Sequence, residues 1–447
     1  MTTSESALAH VLPVTAAVNE SGHLTIGGCD TVELAQEFGT PLYVYDEETL
    51  RGQCRAFRKA FESRYENTGV AYAAKAYLSR AMAAIVAEEG LFMDVVSGGE
   101  LAIAASVNFP AERIVFHGNN KSEQELREAL DLGVGRVVID NFHEMQLLSG
   151  LAAGRNTRQR VLIRISPGVD PHTHAHTTTG TLDSKFGIPV STGQAEAAVR
   201  NALEMPGLEL MGLHYHLGSP VFELEPYSTA VGVAFEFAAR MRERHGFEMR
   251  EFSPGGGFAV AYTPDQRPPS PDDYAEAIVP ALKEACARHS VPEPRLEIEP
   301  GRSSAARAGV ALYTVGSSKE VPELRRWVSV DGGMADNIRP PMYGSQYCAV
   351  AANKVNDPPG ADRETVTIAG KFCESGDLLI KDIDLPPLEP GDILALPASG
   401  AYNLPMASNY NAALRPAVVL ARDGEAKLIR RRETYEDLTR CDVWPAE

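Results

Sequence analysis

Between residues 70 and 301 eight short apolar runs recur: VAYAAK, FMDVVS, RIVFHG, RVVID, VLIRIS, LMGLHYHLGS, REFSPGGG and LEIEPG. Stretches with a period of 3.6 residues separate most of them, including LSRAMAAIVAEEG, YSTAVGVAFEFAARMRERHG and YAEAIVPALKEACARH. The reading is strand, amphipathic helix, strand, repeated. Such alternation predicts parallel strands joined by crossover helices, and eight units fit a closed (β/α)8 barrel better than an open doubly wound sheet. The polar residues support closure because they gather at the C-terminal ends of the runs: Lys75, Ser97, His117, Asp140, Arg164, His216, Gly255 to Gly257 and Glu299. A barrel converges those ends on one mouth, whereas an open sheet would string them along a line.

After about residue 308 the helical period fades and β-like runs take over, namely ALYTV, RWVSVDGG, TVTIAG, DILALPA, AVVLA and AKLIRR, separated by Gly, Pro and Asp turns. These predict a second, all-β domain of residues 309–447, joined by residues 1–45 because the strand HLTIGG has few other partners; residues 46–308 are left to the barrel. TPDQRPPSPDD and NDPPGADRE are predicted surface excursions.

The 447 residues carry a formal net charge of −18, which argues against general affinity for nucleic acid or an anionic membrane and favours a small-molecule partner. The N-terminus lacks the basic and apolar regions of a secretory signal, and no stretch is long enough to span a membrane, so a cytoplasmic location is expected. Six cysteines show no CxxC and no pair at zinc-ligand spacing. Most are expected to be small buried apolar side chains.

Several residue sets carry chemistry. Lys75 ends an apolar strand, where it either snorkels to solvent or sits desolvated with the lowered pKa that suits Schiff-base formation. His214 and His216 lie two apart and so on one side of a strand; together with His172, His174 and His176 they raise a zinc reading, a minority one because no carboxylate or cysteine stands nearby at ligand spacing. An imidazole can instead lie against a planar cofactor. PGGGF could cradle a phosphate or be an ordinary tight turn, and EPGRS adds Glu299 and Arg302 at the next strand end. A Schiff-base lysine, a flat histidine, a glycine loop and a carboxylate for a pyridinium are together the fittings for pyridoxal phosphate.

At this point the chain resembles the fold-type III pyridoxal phosphate decarboxylases and, within them, the diaminopimelate decarboxylase family. The motifs AYAAKA, DVVSGGEL, TLDSKFGI, GLHYHLGS, PGGGF, EPGRS, RPPMYGS, CESGD and GAYN fall in family order along nearly the whole chain. The resemblance implies an alanine racemase-like fold, a TIM-type barrel with a C-terminal β-sandwich or β-barrel domain that completes the active site of a homodimer. It implies pyridoxal 5'-phosphate as cofactor, no metal, and conversion of meso-2,6-diaminopimelate to L-lysine and carbon dioxide. By the same resemblance Lys75 forms the Schiff base and His216 stacks on the ring. Ser219, Gly255, Gly256, Gly257, Gly301 and Arg302 hold the phosphate end with Tyr402 nearby, and Glu299 pairs with the pyridine nitrogen. Arg302, Arg339, Tyr343, Tyr402 and Glu374 would contact substrate. Cys373, contributed with Glu374 by the other subunit, would be the proton donor, a role open to a thiol.

Two departures touch the phosphate end: Ala259 and Pro220 stand where the family often has glycine and glutamine. The alternatives are a decarboxylase of the same fold acting on carboxynorspermidine, a siderophore precursor or a carrier-tethered amino acid, an alanine racemase-type enzyme, which lacks CESGD, and a non-enzymatic relative. The last is expected to lose Lys75 or Cys373, and both are present.

Overall fold

A computed structural model of the chain describes residues 8–170, 184–355 and 362–444. The chain separates into two compact units. One holds Cys54–Ala259 and Pro268–Ser303; the other holds the residues up to Gln53, Val260–Arg267 and the residues from Ser304 onward.

The first unit is the barrel. Its strands are β1 (Thr68–Ala73), β2 (Phe92–Val95), β3 (Ile114–Phe116), β4 (Arg136–Ile139), β5 (Gln159–Ser166), β6 (Leu208–His214), β7 (Glu251–Gly255) and β8 (Arg295–Ile298). Each pairs in parallel with the next, and β8 pairs with β1, so the sheet closes on itself. All eight apolar runs form these strands. Every strand carries a central stretch of buried residues, as a sheet filled within and covered by helices without requires. The periodic segments form the covering helices, among them Arg80–Glu88, Glu225–His245 and Pro271–His289.

Local signals set where those helices begin. Ser270 and Asp273 make a reciprocal capping box before Pro271, whose missing N–H is harmless in a first turn. Ser97, one of the polar strand-end residues, accepts from the Glu100 amide and caps the helix Gly98–Ala105. At the N-terminal end of the barrel, Arg136 makes a two-pronged contact with Glu251 (2.6 and 2.5 Å), and Arg295 meets Glu297 at 2.8 Å. The Arg136–Glu251 pair ties β4 to β7, while Arg295 and Glu297 pair within β8.

The second unit is built on a sheet whose strands run Leu378–Leu385, Glu364–Ala369, Arg325–Val330, Gly309–Val321, Leu42–Asp46, Ala417–Arg422 and Glu425–Arg430 in spatial order; Ile393–Leu396 also pairs with Gly309–Val321. All six β-like runs beyond residue 308 are strands. Three members, the two-residue Val350–Ala351 among them, escaped sequence reading. Leu378–Leu385 is an edge strand interrupted by exposed Lys381 and Asp382, a common way of blunting an edge. Leu42–Asp46, LYVYD, is buried at every position at the sheet centre. Leu24 and Ile26 of HLTIGG join Leu42, Val44, Val310 and Leu312 in one apolar cluster.

Of the two Pro-rich excursions, Thr263–Arg267 is partly exposed, but it follows a buried Tyr262. Part of NDPPGADRE, residues 356–361, lies outside the described residues, as do His172, His174 and His176. Among the described residues no helix is long and apolar enough to cross a membrane.

Candidate active site

Lys75, His117, Asp140, His216 and Glu299 lie one or two residues beyond the last residues of β1, β3, β4, β6 and β8, while Arg164 lies within β5 near its end. They therefore share the C-terminal mouth. Lys75 is half-buried in a short 3-10 turn, Ala74–Ala76, that ends β1, and Gly301 packs against that turn: a Cβ there would stand 2.8 Å from the Ala73 Cβ.

The centre of the mouth is the buried carboxyl of Glu299. One oxygen accepts from the Ser253 hydroxyl at 2.9 Å, His214 Nε2 stands 3.1 Å away, and His117 Nε2 lies at 3.5 Å. Burial pushes both imidazoles well below the usual histidine range, with nearby Lys75 and Arg164 adding to the effect, so both rings are neutral. Burial raises Glu299, and the Lys75 charge opposes it. Asp94 on β2 behaves alike, raised by burial and opposed first by Lys75. The sequence reading passed over Asp94, although an acid inside FMDVVS is itself a signal, since a buried carboxylate needs a compensating partner.

The histidine pair is not one unit. Strand β6 stops at His214, so the alternation that would put both rings on one side does not extend to His216, whose Nδ1 accepts from the Gly256 amide at 3.2 Å. His117, His214 and Glu299 offer ligand-type atoms within 4.8 Å of one another, a cluster formed by side chains from three strand ends.

The glycine triplet is required by close approach on every side. A Cβ on Gly255 would meet the Tyr215 carbonyl oxygen at 2.5 Å, one on Gly256 the Glu299 carbonyl oxygen at 2.1 Å, and one on Gly257 the Gly218 carbonyl oxygen at 2.3 Å. Gly255 and Gly257 also have φ of 73° and 99°, where a side chain is strained. Arg302 Nε donates to the exposed Ser219 hydroxyl at 3.0 Å, so Pro220 does not pull Ser219 from its cation. Ala259 is accommodated as well, its amide donating to the Tyr274 hydroxyl at 2.9 Å.

The remaining residues belong to the sheet unit. Cys373 and Glu374 are exposed on a loop whose backbone is pinned from below: Asp377, itself buried, accepts from the amides of Phe372 (2.8 Å) and Met334 (2.6 Å), and Asn411 accepts from the Cys373 amide (2.9 Å). Tyr343 is exposed, and Tyr402 is half-buried with φ of 63°. Arg339 is buried at the start of the helix Arg339–Tyr343.

Comparison with known proteins agrees with this geometry. Residues 47–306 match the family model for the pyridoxal binding domain of pyridoxal-dependent decarboxylases. The chain is 48% identical over 429 residues to a diaminopimelate decarboxylase of Bacillus subtilis, covering 96% of this chain and 97% of that one. The chain belongs to the diaminopimelate decarboxylase family. Among solved structures, the diaminopimelate decarboxylase of M. jannaschii, in complex with L-lysine, superimposes with a TM-score of 0.91 at 37% identity, covering 96% of this chain and 98% of that chain. The Helicobacter pylori diaminopimelate decarboxylase, also complexed with L-lysine, gives a TM-score of 0.82 at 31% identity over 92% of this chain and 98% of that one.

Diaminopimelate decarboxylases of this family use pyridoxal phosphate, and the mouth fits it. A buried carboxyl at the barrel centre suits a protonated ring nitrogen. Three buried side-chain atoms nearby, His117 Nε2, Asp94 Oδ1 and His214 Nδ1, have no hydrogen-bond partner among the described residues. A lysine, a half-buried imidazole and an arginine beside a glycine loop complete a donor set matched to an aldehyde, a ring face and a phosphate.

Proposed function

We propose that the protein decarboxylates meso-2,6-diaminopimelate to L-lysine and carbon dioxide. The observation that carries this reading is identity of 48% over nearly the full length of both chains, which spans the barrel and the sheet unit alike. Pyridoxal phosphate, when bound, supplies the electron sink for the breaking carbon–carboxylate bond. Lys75 Nζ would hold its aldehyde end, Glu299 its ring nitrogen, and His216 its ring face. Ser219, Gly255, Gly256, Gly257, Gly301 and Arg302 would hold its phosphate end, with Tyr402 beside them.

Neutral His117 and His214 keep the Glu299 carboxyl from acquiring a fixed cationic partner, which leaves it to interact with the ring nitrogen. Arg302 and Arg339 supply guanidinium groups for substrate carboxylates, and a planar fork can hold two oxygens at once. Tyr343 and Glu374 would read the retained end of the substrate, Glu374 taking its ammonium. The Cys373 thiol then delivers its proton to the carbon that has lost carbon dioxide.

The active assembly is a homodimer in the cytoplasm, Cys373 and Glu374 of one copy serving the Lys75 of the other. Support comes from the CESGD loop: its reactive side chains are exposed while its backbone is anchored by Asp377 and Asn411. Incubating the purified chain with pyridoxal phosphate and meso-diaminopimelate, with L-ornithine and L-arginine as controls, tests the reading. Lysine from diaminopimelate with no product from the controls is expected. Silence on diaminopimelate would turn attention to other amino-acid-like substrates of the same fold.

A further inference from the structure

Arg339 is 5% exposed, yet among the described residues no carboxylate pairs with it. That is costly, because a buried guanidinium ordinarily requires an anion. Its one side-chain hydrogen bond among the described residues runs from Nη1 to the Tyr347 hydroxyl, 2.5 Å. Its Cζ lies over the Tyr262 ring, 4.4 Å from the centroid, and 5.5 Å from the centroid of the Tyr347 ring. The two rings meet edge to face at 5.3 Å and 72°. Tyr347 in turn donates to Asn403 Oδ1 at 3.1 Å, and Asn403 is fully buried. Burial pushes the Tyr347 phenol up, so it stays protonated and can accept from Arg339 and donate to Asn403 at once.

We propose that Tyr262, Tyr347 and Asn403 are positioning residues for Arg339, fixing its guanidinium so that the remaining N–H edge selects ligands whose retained end bears a carboxylate. This rests on the reading of Arg339 as a substrate-carboxylate group. The aromatic face contributes without adding a competing anion, which a carboxylate partner would do. The Tyr347 hydroxyl occupies one Nη1 hydrogen and sets rotation about the last side-chain bonds. The neutral box thus orients a cation while leaving its charge available.

The test uses two ligands that differ only in that carboxylate, L-lysine and 1,5-diaminopentane, as competitive inhibitors of the holoenzyme. The wild type is expected to prefer L-lysine. Tyr347→Phe and Tyr262→Leu should each reduce that preference by roughly 5- to 10-fold, the scale of a charged hydrogen bond or a cation–π contact. The loss should fall on L-lysine alone, KM for diaminopimelate should rise while kcat stays nearly constant, and Tyr262→Phe should restore the preference. Unchanged 1,5-diaminopentane inhibition shows that the variants are folded. A wild-type-like ratio in both variants, or equal weakening of both ligands, would overturn the positioning role. Absence of any L-lysine preference in the wild type would instead overturn the reading of Arg339 itself.

Discussion

Two buried cations, one in each unit, are treated in opposite ways. In the barrel, Lys121 has a side chain only 1% exposed and donates to the Gly118 carbonyl (2.8 Å), the Val138 carbonyl (2.7 Å) and Glu144 Oε1 (2.8 Å). All three of its hydrogens are used. Burial presses Lys121 and Glu144 toward their neutral forms, and their contact opposes it on both sides. In the sheet unit, Arg339 is just as hidden, but among the described residues its side chain donates to a phenol and lies beside the Tyr262 and Tyr347 rings, with no carboxylate paired to it. A cation whose valences are filled by the protein is part of the scaffold, whereas one held by neutral groups keeps its charge for a ligand.

The contrast predicts where each loss will be felt. Lys121→Met leaves Glu144 buried without its partner, and unfolding free energy should fall by about 3–5 kcal/mol in a denaturant titration. Stability equal to wild type would remove the distinction. Arg339→Leu leaves no carboxylate behind, so stability should hold or rise. Its kcat/KM for diaminopimelate should drop by roughly 30- to 1,000-fold, some 2–4 kcal/mol.

A buried acid in the sheet unit sharpens the comparison further, because hydroxyls rather than a cation satisfy it. Burial lifts Asp336 from 3.8 to about 6, although Tyr313, the Gly333 amide and Tyr43 donate to it. The folded chain therefore binds this proton more tightly than the unfolded chain. The resulting stabilisation is present below about pH 4 and is lost as the pH rises through about 6. Melting curves from pH 4 to 7 should show Asp336→Asn gaining on wild type by on the order of 1–3 kcal/mol; parallel curves would refute the shift. The smallest effect belongs to the exposed pair of Arg127 with Glu123, where Arg127→Ala should cost no more than about 0.5 kcal/mol.

The barrel was legible because its constraint is local and repeated. Each strand is a short apolar run, and Lys75 or Glu299 announces itself as a charge where the run stops. Asp94 was harder to see, because within FMDVVS its burial depends on neighbours distant in sequence. Leu378–Leu385 was hidden by Lys381 and Asp382, which face outward from an edge. The box around Arg339 was not legible either. Tyr262, Tyr347 and Asn403 are brought together from three separate segments, and Tyr262 follows a barrel strand in sequence while clustering with the sheet unit. Motif order pointed to Cys373, yet only the structure shows Asp377 and Asn411 holding its loop.

The central claim is that barrel chemistry and sheet chemistry serve one reaction across two copies of the chain. Co-expressing Lys75→Ala with Cys373→Ala, each inactive alone, tests it most directly. Mixed dimers would contain one site with both residues intact, so lysine formation from diaminopimelate should return in the co-expressed sample and be absent from either variant alone. If the mixed sample is as silent as its parents although mixed dimers have formed, Lys75 and Cys373 are not supplied by different copies, and the account fails.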